Sequence, residues 1–427
     1  MKYTSNIKIN KEFLEDETTN LAQRTRSRLG LCKRHFFLLV AFSLFFSLPF
    51  DSIAQDDAPS KVDFKGYLKY LTTVNFQDVN DEWITDNLLH NRLELRYYPN
   101  EKWKFDVEVR NRLFYGQAVT LYNTSDSLPG YSKLIGMDNG FFDLSYNWAS
   151  GTSYLLNTTI DRMFIDYTSG KWQIRAGRHR INWGQNLVWN PNDVFNAYSY
   201  FDFDYEERPG TDAVRVQYYT GSTSAAEFVY QLGDNMDDMS FMGLYKFSKW
   251  NYDIQFLGGQ VKKDLVIGTG WSGDIKGGGF RGEFTYFHDK DSLSNPIGQL
   301  VASISGDYTL PSSLYFHASV LYNSKGTTGK AGIPNPNILI ETSAKYLTLS
   351  RLDLFGQISY QITPLVYGSV ASIVNPFDRS FFMAPSVTYS LADNLELLFI
   401  AQLFNGDTGT EFGGIGKLFY FRFKWAF

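Results

Sequence analysis

Charged side chains alternate with apolar ones along several segments of this chain, and arginines are the residues best suited to hold a solute. Their guanidinium groups offer a planar fork of donors that fits carboxylates and sugar hydroxyls. Rows of arginines facing rows of acids would create a transverse field that sorts solutes by charge and dipole. Alternatively, the charges pair across neighbouring strands and only fill a hydrated interior. The candidate arginines are Arg92, Arg96, Arg110, Arg112, Arg162, Arg175, Arg178, Arg180, Arg215 and Arg281, with Glu94, Asp106, Glu108, Asp166 and Glu283 as nearby acids.

A second group of acids follows in the middle of the chain, at Asp193, Asp202, Asp204, Glu206 and Glu207. Converging oxygens of this type could bind a hard cation such as Ca²⁺. They could also clamp the segment against Arg178 and Arg180. The spacing of Asp202, Asp204 and Glu206 fits a strand as readily as a binding loop, so we predict no metal ion here.

Aromatic residues surround these acids, and they too allow two interpretations. One is a row of rings on which sugars stack, and the other is a small hydrophobic cluster that holds the segment in place. The principal candidates are Trp183, Trp189, Phe195 and Tyr200, with Tyr198, Phe201 and Tyr205 beside them.

The sequence does not predict an enzyme. Beyond the N-terminal region the histidines are His90, His179, His288 and His317, and none has the spacing of a metal site or a nucleophile–base pair. The lone Cys32 precedes the apolar run described below and would be removed with it. We therefore expect neither catalytic residues nor a cofactor.

The elements that position these side chains are predicted to be strands. In the last segment Phe419, Phe421, Phe423, Trp425 and Phe427 alternate with Tyr420, Arg422, Lys424 and Ala426. A period of two, with rings on one face and charges on the other, is typical of strands between lipid and a wet interior. Such a strand must pair with another to leave no open edge in lipid. The chain is therefore predicted to be all-β, a transmembrane antiparallel barrel of 16–18 strands.

The same alternation recurs along the chain. We predict strands at 62–76, 87–98 and 103–113, and short turns at Pro99-Asn100, Ser169-Gly170, Thr363-Pro364 and Ala392-Asn394. Longer polar stretches at 116–138, 289–298, 324–340 and 405–411 would lie on the opposite side. The total is nineteen candidates, so at least one is not a barrel strand. The others are 140–148, 157–168, 171–181, 211–220, 225–232, 239–248, 250–259, 264–270, 275–288, 299–309, 313–323, 351–362, 364–375, 380–391, 394–405 and 412–427.

The N-terminus has the pattern of a secretory signal. An apolar run at 36–48 follows Lys33-Arg34, is too short to span a membrane as a helix, and is followed by small residues at Ser52 and Ala54. We predict a signal peptide with a long leader at 1–54, a periplasmic linker at 55–61 and a barrel at 62–427. The chain has 40 basic and 45 acidic residues, and removing this leader makes it more acidic, which argues against a nucleic-acid partner.

Residues 182–210 lack a strand period and form the longest predicted connection between strands. A loop of this length that is rich in rings is usually packed and functional, so we expect it to fold into the barrel. The pattern Gly177-Arg178, Trp183-Gly184 and Asn190-Pro191-Asn192-Asp193 resembles that of porin-like outer-membrane barrels of the DUF1302 and alginate-export type. A related sequence pattern occurs in barrels that attach capsule polysaccharide to the cell surface. The composition of the predicted loops resembles that of Bacteroidota proteins.

That resemblance implies a passive outer-membrane channel for small polar or anionic solutes, narrowed at 182–210. The alternative is a non-conducting barrel that binds or assembles surface polysaccharide. The expected partners are outer-membrane lipid, a small polar solute or saccharide, and the barrel assembly machinery, through the terminal Phe427. Strand patterning does not separate the two functions.

Overall fold

The computed structural model describes residues 60–126, 128–204, 206–292, 297–332 and 343–427. The predicted signal peptide, Cys32, most of the linker and Tyr205 lie outside them. The strands are β1 Val62–Phe76, β2 Ile84–Asn100, β3 Trp103–Gly116, β4 Ser145–Ser150, β5 Tyr154–Ser169, β6 Trp172–His179, β7 Thr211–Tyr219, β8 Ser224–Gln231, β9 Ser240–Lys249, β10 Tyr252–Val261, β11 Asp264–Ile275, β12 Gly278–Asp289, β13 Gln299–Thr309, β14 Leu314–Asn323, β15 Leu352–Thr363, β16 Val366–Val374, β17 Phe381–Ala392, β18 Leu395–Asn405 and β19 Lys417–Ala426.

These strands form one closed antiparallel sheet, because β19 pairs with β1 from Tyr67↔Ala426 to Phe76↔Lys417. Within the described residues eighteen of them make up the barrel. The predicted all-β barrel and its even strand number are confirmed.

The surplus candidate is the predicted strand at 140–148. Its counterpart β4 is short and pairs only with one end of β5, while β3 bypasses it and pairs with β5 along most of its length. β4 therefore belongs to the connection between β3 and β5.

The connections differ in length between the two ends of the barrel. At the end where β1 begins, all are short: 101–102, 170–171, 220–223, 250–251, 276–277, 310–313, 364–365 and 393–394. At the other end most are longer, including 117–153, 180–210, 324–351 and 406–416. The predicted turn at Pro99-Asn100 lies two residues too early, because β2 continues through Asn100. We call these the short-turn end and the long-loop end.

Two helices occur in the long connection after β3, at Gln117–Thr124 (α1) and Tyr131–Gly136 (α2). Neither of these nor any other helix among the described residues has the length and apolarity needed to cross a membrane.

The alternation in the strands separates an outer face from an inner one. Outward residues such as Phe256, Ile267 and Phe421 are about half exposed, as expected of side chains that face lipid. Polar inner-face residues such as Arg92 and Glu283 have no exposed surface. The strand pattern thus brings most of the charged candidates into the interior.

The interior itself is divided. Strands β8 to β17 contribute apolar side chains, including Met242, Leu257 and Phe355, to one buried cluster that also contains Ile181, Trp183 and Trp189. Most of the ion-paired arginines lie instead on β2, β3, β6 and β19, with Arg281 on β12 as an exception. One side of the interior is therefore packed and apolar, while the other is polar and charged.

Candidate functional site

Residues 182–210, which we call the internal segment, leave the barrel wall after β6 and rejoin it at β7. The indole Nε1 of Trp183 donates to Glu227 on β8 at 2.6 Å. Gln255 on β10 donates to the carbonyl of Trp183 at 2.5 Å. The start of the segment is thus held by β8 and β10, neither of which is a neighbour of β6 in the sheet.

Glu283 on β12 is the main polar anchor of the segment. Its carboxylate accepts the backbone N–H groups of Gln185 at 2.5 Å, Asn186 at 2.7 Å and Asn192 at 2.9 Å. The side chain of Asn186 donates to Ser303 on β13 at 2.7 Å. A buried charge without a basic partner is tolerable only when several donors converge on it, as they do here.

The aromatic candidates pack against the wall. Trp183 and Trp189 are each 4 % exposed. Trp183 lies edge-on to Phe195, and Trp189 lies edge-on to Phe355 on β15. Tyr200 also contacts Phe355, with ring centroids 5.3 Å apart. The two tryptophans have almost no ring surface to offer a sugar, which favours their role as anchors.

Two acids of the internal segment, Asp204 and Glu206, bind the strands at the barrel seam. Asp204 pairs with Lys69 on β1 at 2.9 Å. Glu206 lies 2.9 Å from Arg422 and 2.8 Å from Lys424, both on β19. Burial raises the pKa of Asp204, but nearby His90 and Lys69 outweigh this effect and hold the pKa at about 2.

The end of the segment returns along β1 and β5. The Tyr67 hydroxyl donates to Glu207 at 2.7 Å. Arg162 on β5 donates to the carbonyls of Glu207 and Arg208 at 2.7 and 2.8 Å. From β8 through β19 and β1 to β5, the segment thus contacts strands around nearly the whole wall. Only a position within the barrel allows such contacts.

Arg92 is the centre of the charged side. It has no exposed surface and bonds to Asp161 at 2.5 Å, to Glu94 at 3.1 Å and to Glu108. Its neighbour Arg96 lies nearer the short-turn end and pairs with Asp106 at 3.2 Å and with Glu94 at 3.0 Å. The side chain of Arg96 keeps 27 % of its surface exposed, so it faces water where Arg92 does not.

The other wall arginines are also engaged. Arg110 pairs with Asp161 at 3.0 Å, and Arg175 pairs with Asp166 at 2.6 Å. Arg112 donates to Asn157 at 2.7 Å. Arg215 donates to Gln173 at 3.0 Å, and Arg281 pairs with Asp307. Carboxylates or amides of the wall thus hold each of these arginines in place.

Arg178 does not bind the acids of the internal segment, as one interpretation required. It forms a two-pronged bond with Asp212 at 2.7 and 2.8 Å and pairs with Asp138 at 2.6 Å. It also donates to the carbonyl of Phe142 at 2.6 Å. This arginine ties the connection after β3 to β7, because Asp138 comes within its reach only when that connection folds back.

Asp193 faces Arg180, whose Nη2 atom lies 3.9 Å away, beyond hydrogen-bond distance. The aspartate is 1 % exposed, and neither of its carboxylate oxygens has a hydrogen-bond partner. Burial raises the pKa of Asp193 to about 7, although Arg180 opposes the shift. Among the residues that the structure describes, no group of three or more histidine, cysteine or acidic side chains could hold a metal ion.

A cavity of about 890 Å³ lies beside the internal segment, between residues 134–141 and 343–346. Arg110, Arg178 and Asp161 line it together with Tyr198 and Arg208. The Arg208 guanidinium lies 3.5 Å from the centre of the Tyr198 ring. The cavity therefore joins charged wall residues to the polar surface of the segment.

Sequence reasoning did not select Tyr67 or Lys69 as site residues. Both occupy inner-face positions of the β1 alternation, and that period was the signal that could have found them. Their partners Glu207 and Asp204 follow in sequence by 140 and 135 residues. No local pattern links residues so far apart.

Solved structures of other proteins are similar to this chain in fold. No protein-family model and no curated protein matches the sequence. Among solved structures the chain is similar to OccAB4 from Acinetobacter baumannii, with a TM-score of 0.56 and 10 % identity, covering 86 % of this chain and 98 % of that one. It is also similar to the outer membrane protein OprD from Pseudomonas aeruginosa, with a TM-score of 0.55 and 9 % identity over 86 % and 94 % of the two chains. At such low identity these similarities establish a shared barrel fold.

Proposed function

We propose that this protein is an outer-membrane channel through which small polar or anionic solutes diffuse passively and selectively. The main support is the divided interior, in which the internal segment packs apolar residues against β8 to β17 and leaves the charged residues on the other side. A solute that crosses the barrel would follow the charged side, where Arg96 and Arg175 keep exposed surface. Proteins of the same fold include the outer membrane protein OprD.

Selectivity would arise from pore width and from charge. The cavity of about 890 Å³ at the internal segment is large enough for a small solute. Arg110 and Arg178 beside it are held by acids, so their positions are fixed. Such an arrangement favours solutes that combine a negative group with polar groups, because each finds a partner on the wall.

The partners follow from this location. The outward apolar face of the strands contacts outer-membrane lipid. Phe427, at the end of β19, is the residue we expect the assembly machinery to recognise. The finer assignment to the DUF1302 and alginate-export type rests on the Gly177–Asp193 pattern and would make an acidic saccharide the first solute to test.

Planar-bilayer recording of the refolded protein tests the channel. We expect discrete conductance steps, and a reversal potential in a salt gradient that changes when Arg96 or Arg175 is neutralised. Absence of any single-channel current would rule out the channel.

That outcome would support the alternative, a non-conducting barrel that binds or assembles surface polysaccharide. The observation in its favour is the apolar cluster, which fills much of the interior from β8 to β17. Binding of polysaccharide to intact cells, lost when the long connections are shortened, would then be the expected result.

A further inference from the structure

At the long-loop end, two carboxyl groups meet at one hydroxyl. The Oγ1 atom of Thr348 lies 2.6 Å from Glu411 in the connection 406–416, and it also contacts the carboxyl group of Asp353 at the start of β15. Asp353 is 1 % exposed and Thr348 is 8 % exposed. Water therefore does not separate the three groups.

If both carboxyl groups are ionised, the three groups have one hydrogen fewer than the hydrogen bonds between them require. The hydroxyl of Thr348 carries a single hydrogen and already accepts the N–H of Ser350 at 3.2 Å. It can donate to only one carboxylate, so the other must carry a proton to bond with it. The remaining oxygen of Asp353, Oδ1, is buried and has no hydrogen-bond partner. Two ionised carboxylates would leave this buried network unsatisfied.

No positive charge compensates the pair. The third nearby acid, Asp378, accepts the backbone N–H of Glu411 at 2.7 Å. Lys330 and Arg351 in the same connections donate to backbone carbonyls. Among the described residues no basic side chain forms an ion pair with Asp353, Asp378 or Glu411, and 333–342 contains no basic residue. Burial raises the pKa of Glu411.

A proton fits this site better than a metal ion. Calcium requires six to eight oxygens, and here two carboxyl groups and one hydroxyl converge. The other oxygens of Glu411 and Asp378 are occupied, since Glu411 Oε2 accepts the Asn375 amide at 3.0 Å and Asp378 accepts from Ser380. A single shared proton completes the hydrogen bonds between Thr348 and the two carboxyl groups without further ligands.

The pair also connects the long-loop end to the internal segment. Phe412, which follows Glu411, packs on Phe201 with ring centroids 6.0 Å apart. The N–H of Leu349 points to Glu411 at 3.4 Å, and Asn375 belongs to a third connection. Movement of Glu411 would therefore disturb three connections and one anchor of the segment.

We propose that Asp353 and Glu411 form a proton-dependent clasp that holds the connections 343–351, 375–380 and 406–416 together and is released as the pH rises. The closed state binds one proton more than the open state. Closure is therefore complete below the ordinary carboxyl range, near pH 4.5, and weakens progressively above it.

Hydrogen exchange of the refolded full chain tests the clasp. Between pH 5 and pH 8, amides in 343–351 and 406–416 should lose about tenfold in protection relative to those in 232–239, which corrects for the intrinsic effect of pH on exchange. Equal changes in both regions would overturn the proposal.

Two variants sharpen this test. Glu411→Gln supplies a permanent donor in place of the shared proton, so the pH-dependent loss of protection should disappear, and Asp353→Asn should act alike. The matched control Asp407→Asn, an exposed acid in the same connection, should retain it. A pH-dependent loss of protection that persists in both variants would contradict the clasp. Restoration of protection by Ca²⁺ at pH 8 would also contradict it, because it would indicate a metal site.

Discussion

Phe427, the last residue, exchanges two backbone hydrogen bonds with Gly66 on β1, each 2.9 Å long. A Cβ atom added at Gly66 would lie 2.6 Å from the carbonyl oxygen of Arg92 and 2.8 Å from the Phe427 ring. The ring therefore lies over a position where only glycine fits. The last strand is closed on the first by its terminal residue as well as by its ladder.

We predict that Gly66→Val weakens the seam, because the new side chain and the Phe427 ring cannot occupy the same space. The expected loss is about 1–3 kcal/mol in the free energy of unfolding, measured by urea titration in lipid vesicles. Gly356→Val is the matched control, because no atom lies within 4 Å of a Cβ at that strand glycine. Equal losses in the two variants would contradict a special role for the seam.

Glu283→Gln should release the first half of the internal segment. Hydrogen bonds to a charged acceptor contribute about 1.5–3 kcal/mol each, and a neutral amide replaces one acceptor oxygen by a donor. We expect faster hydrogen exchange at the amides of Gln185, Asn186 and Asn192, and larger current fluctuations in bilayer recordings. The control Glu101→Gln, in an exposed turn, should change neither the hydrogen exchange of these amides nor the current fluctuations. Unaltered exchange at the three amides would show that the aromatic contacts suffice to hold the segment.

Arg96→Gln should shift ion selectivity towards cations, because it removes a partly exposed positive charge from the charged side. Glu94 keeps Arg92 as a partner and the buried Asp106 keeps Lys104, which limits the stability cost. Reversal potentials in a salt gradient measure the shift, with Lys276→Gln in a short turn as the control. A reversal potential equal to that of the unmodified protein would place the conducting path elsewhere.

Asp193 should make stability depend on pH. Its pKa of about 7 in the folded chain exceeds the ordinary value of 3.8, so the folded state binds more protons between these values. The stabilisation is complete below pH 3.8 and is lost as the pH rises to about 7, by roughly 4 kcal/mol. Asp193→Asn should remove this dependence in unfolding titrations from pH 4 to pH 8, whereas Asp234→Asn in an exposed connection should retain it. A flat profile in the unmodified chain would refute the assignment.

Local sequence was sufficient for the barrel. The period of two, as in Phe421-Arg422-Phe423-Lys424, determines which face of each strand meets lipid. Short turn signals such as Ser169-Gly170 determine where the chain reverses. The one surplus strand arose at 140–148, where alternation exists but β4 pairs only with 155–159 of β5, beyond the stretch of the same edge that β6 occupies. Which segment continues the barrel wall along that edge leaves no trace in the pattern of a single segment.

The site was predictable as a set of residues but not as a set of contacts. Its arginines, acids and rings follow from residue type and position, and the length of 182–210 indicates a packed loop. Only the tertiary structure decided that Glu206 binds Arg422, 216 residues later, and that Arg178 binds Asp138 and Asp212. The physical reason is that alternation specifies the direction of a side chain, whereas an ion pair depends on distance. The distances across this interior exist only once β19 closes on β1 and the internal segment folds against the wall.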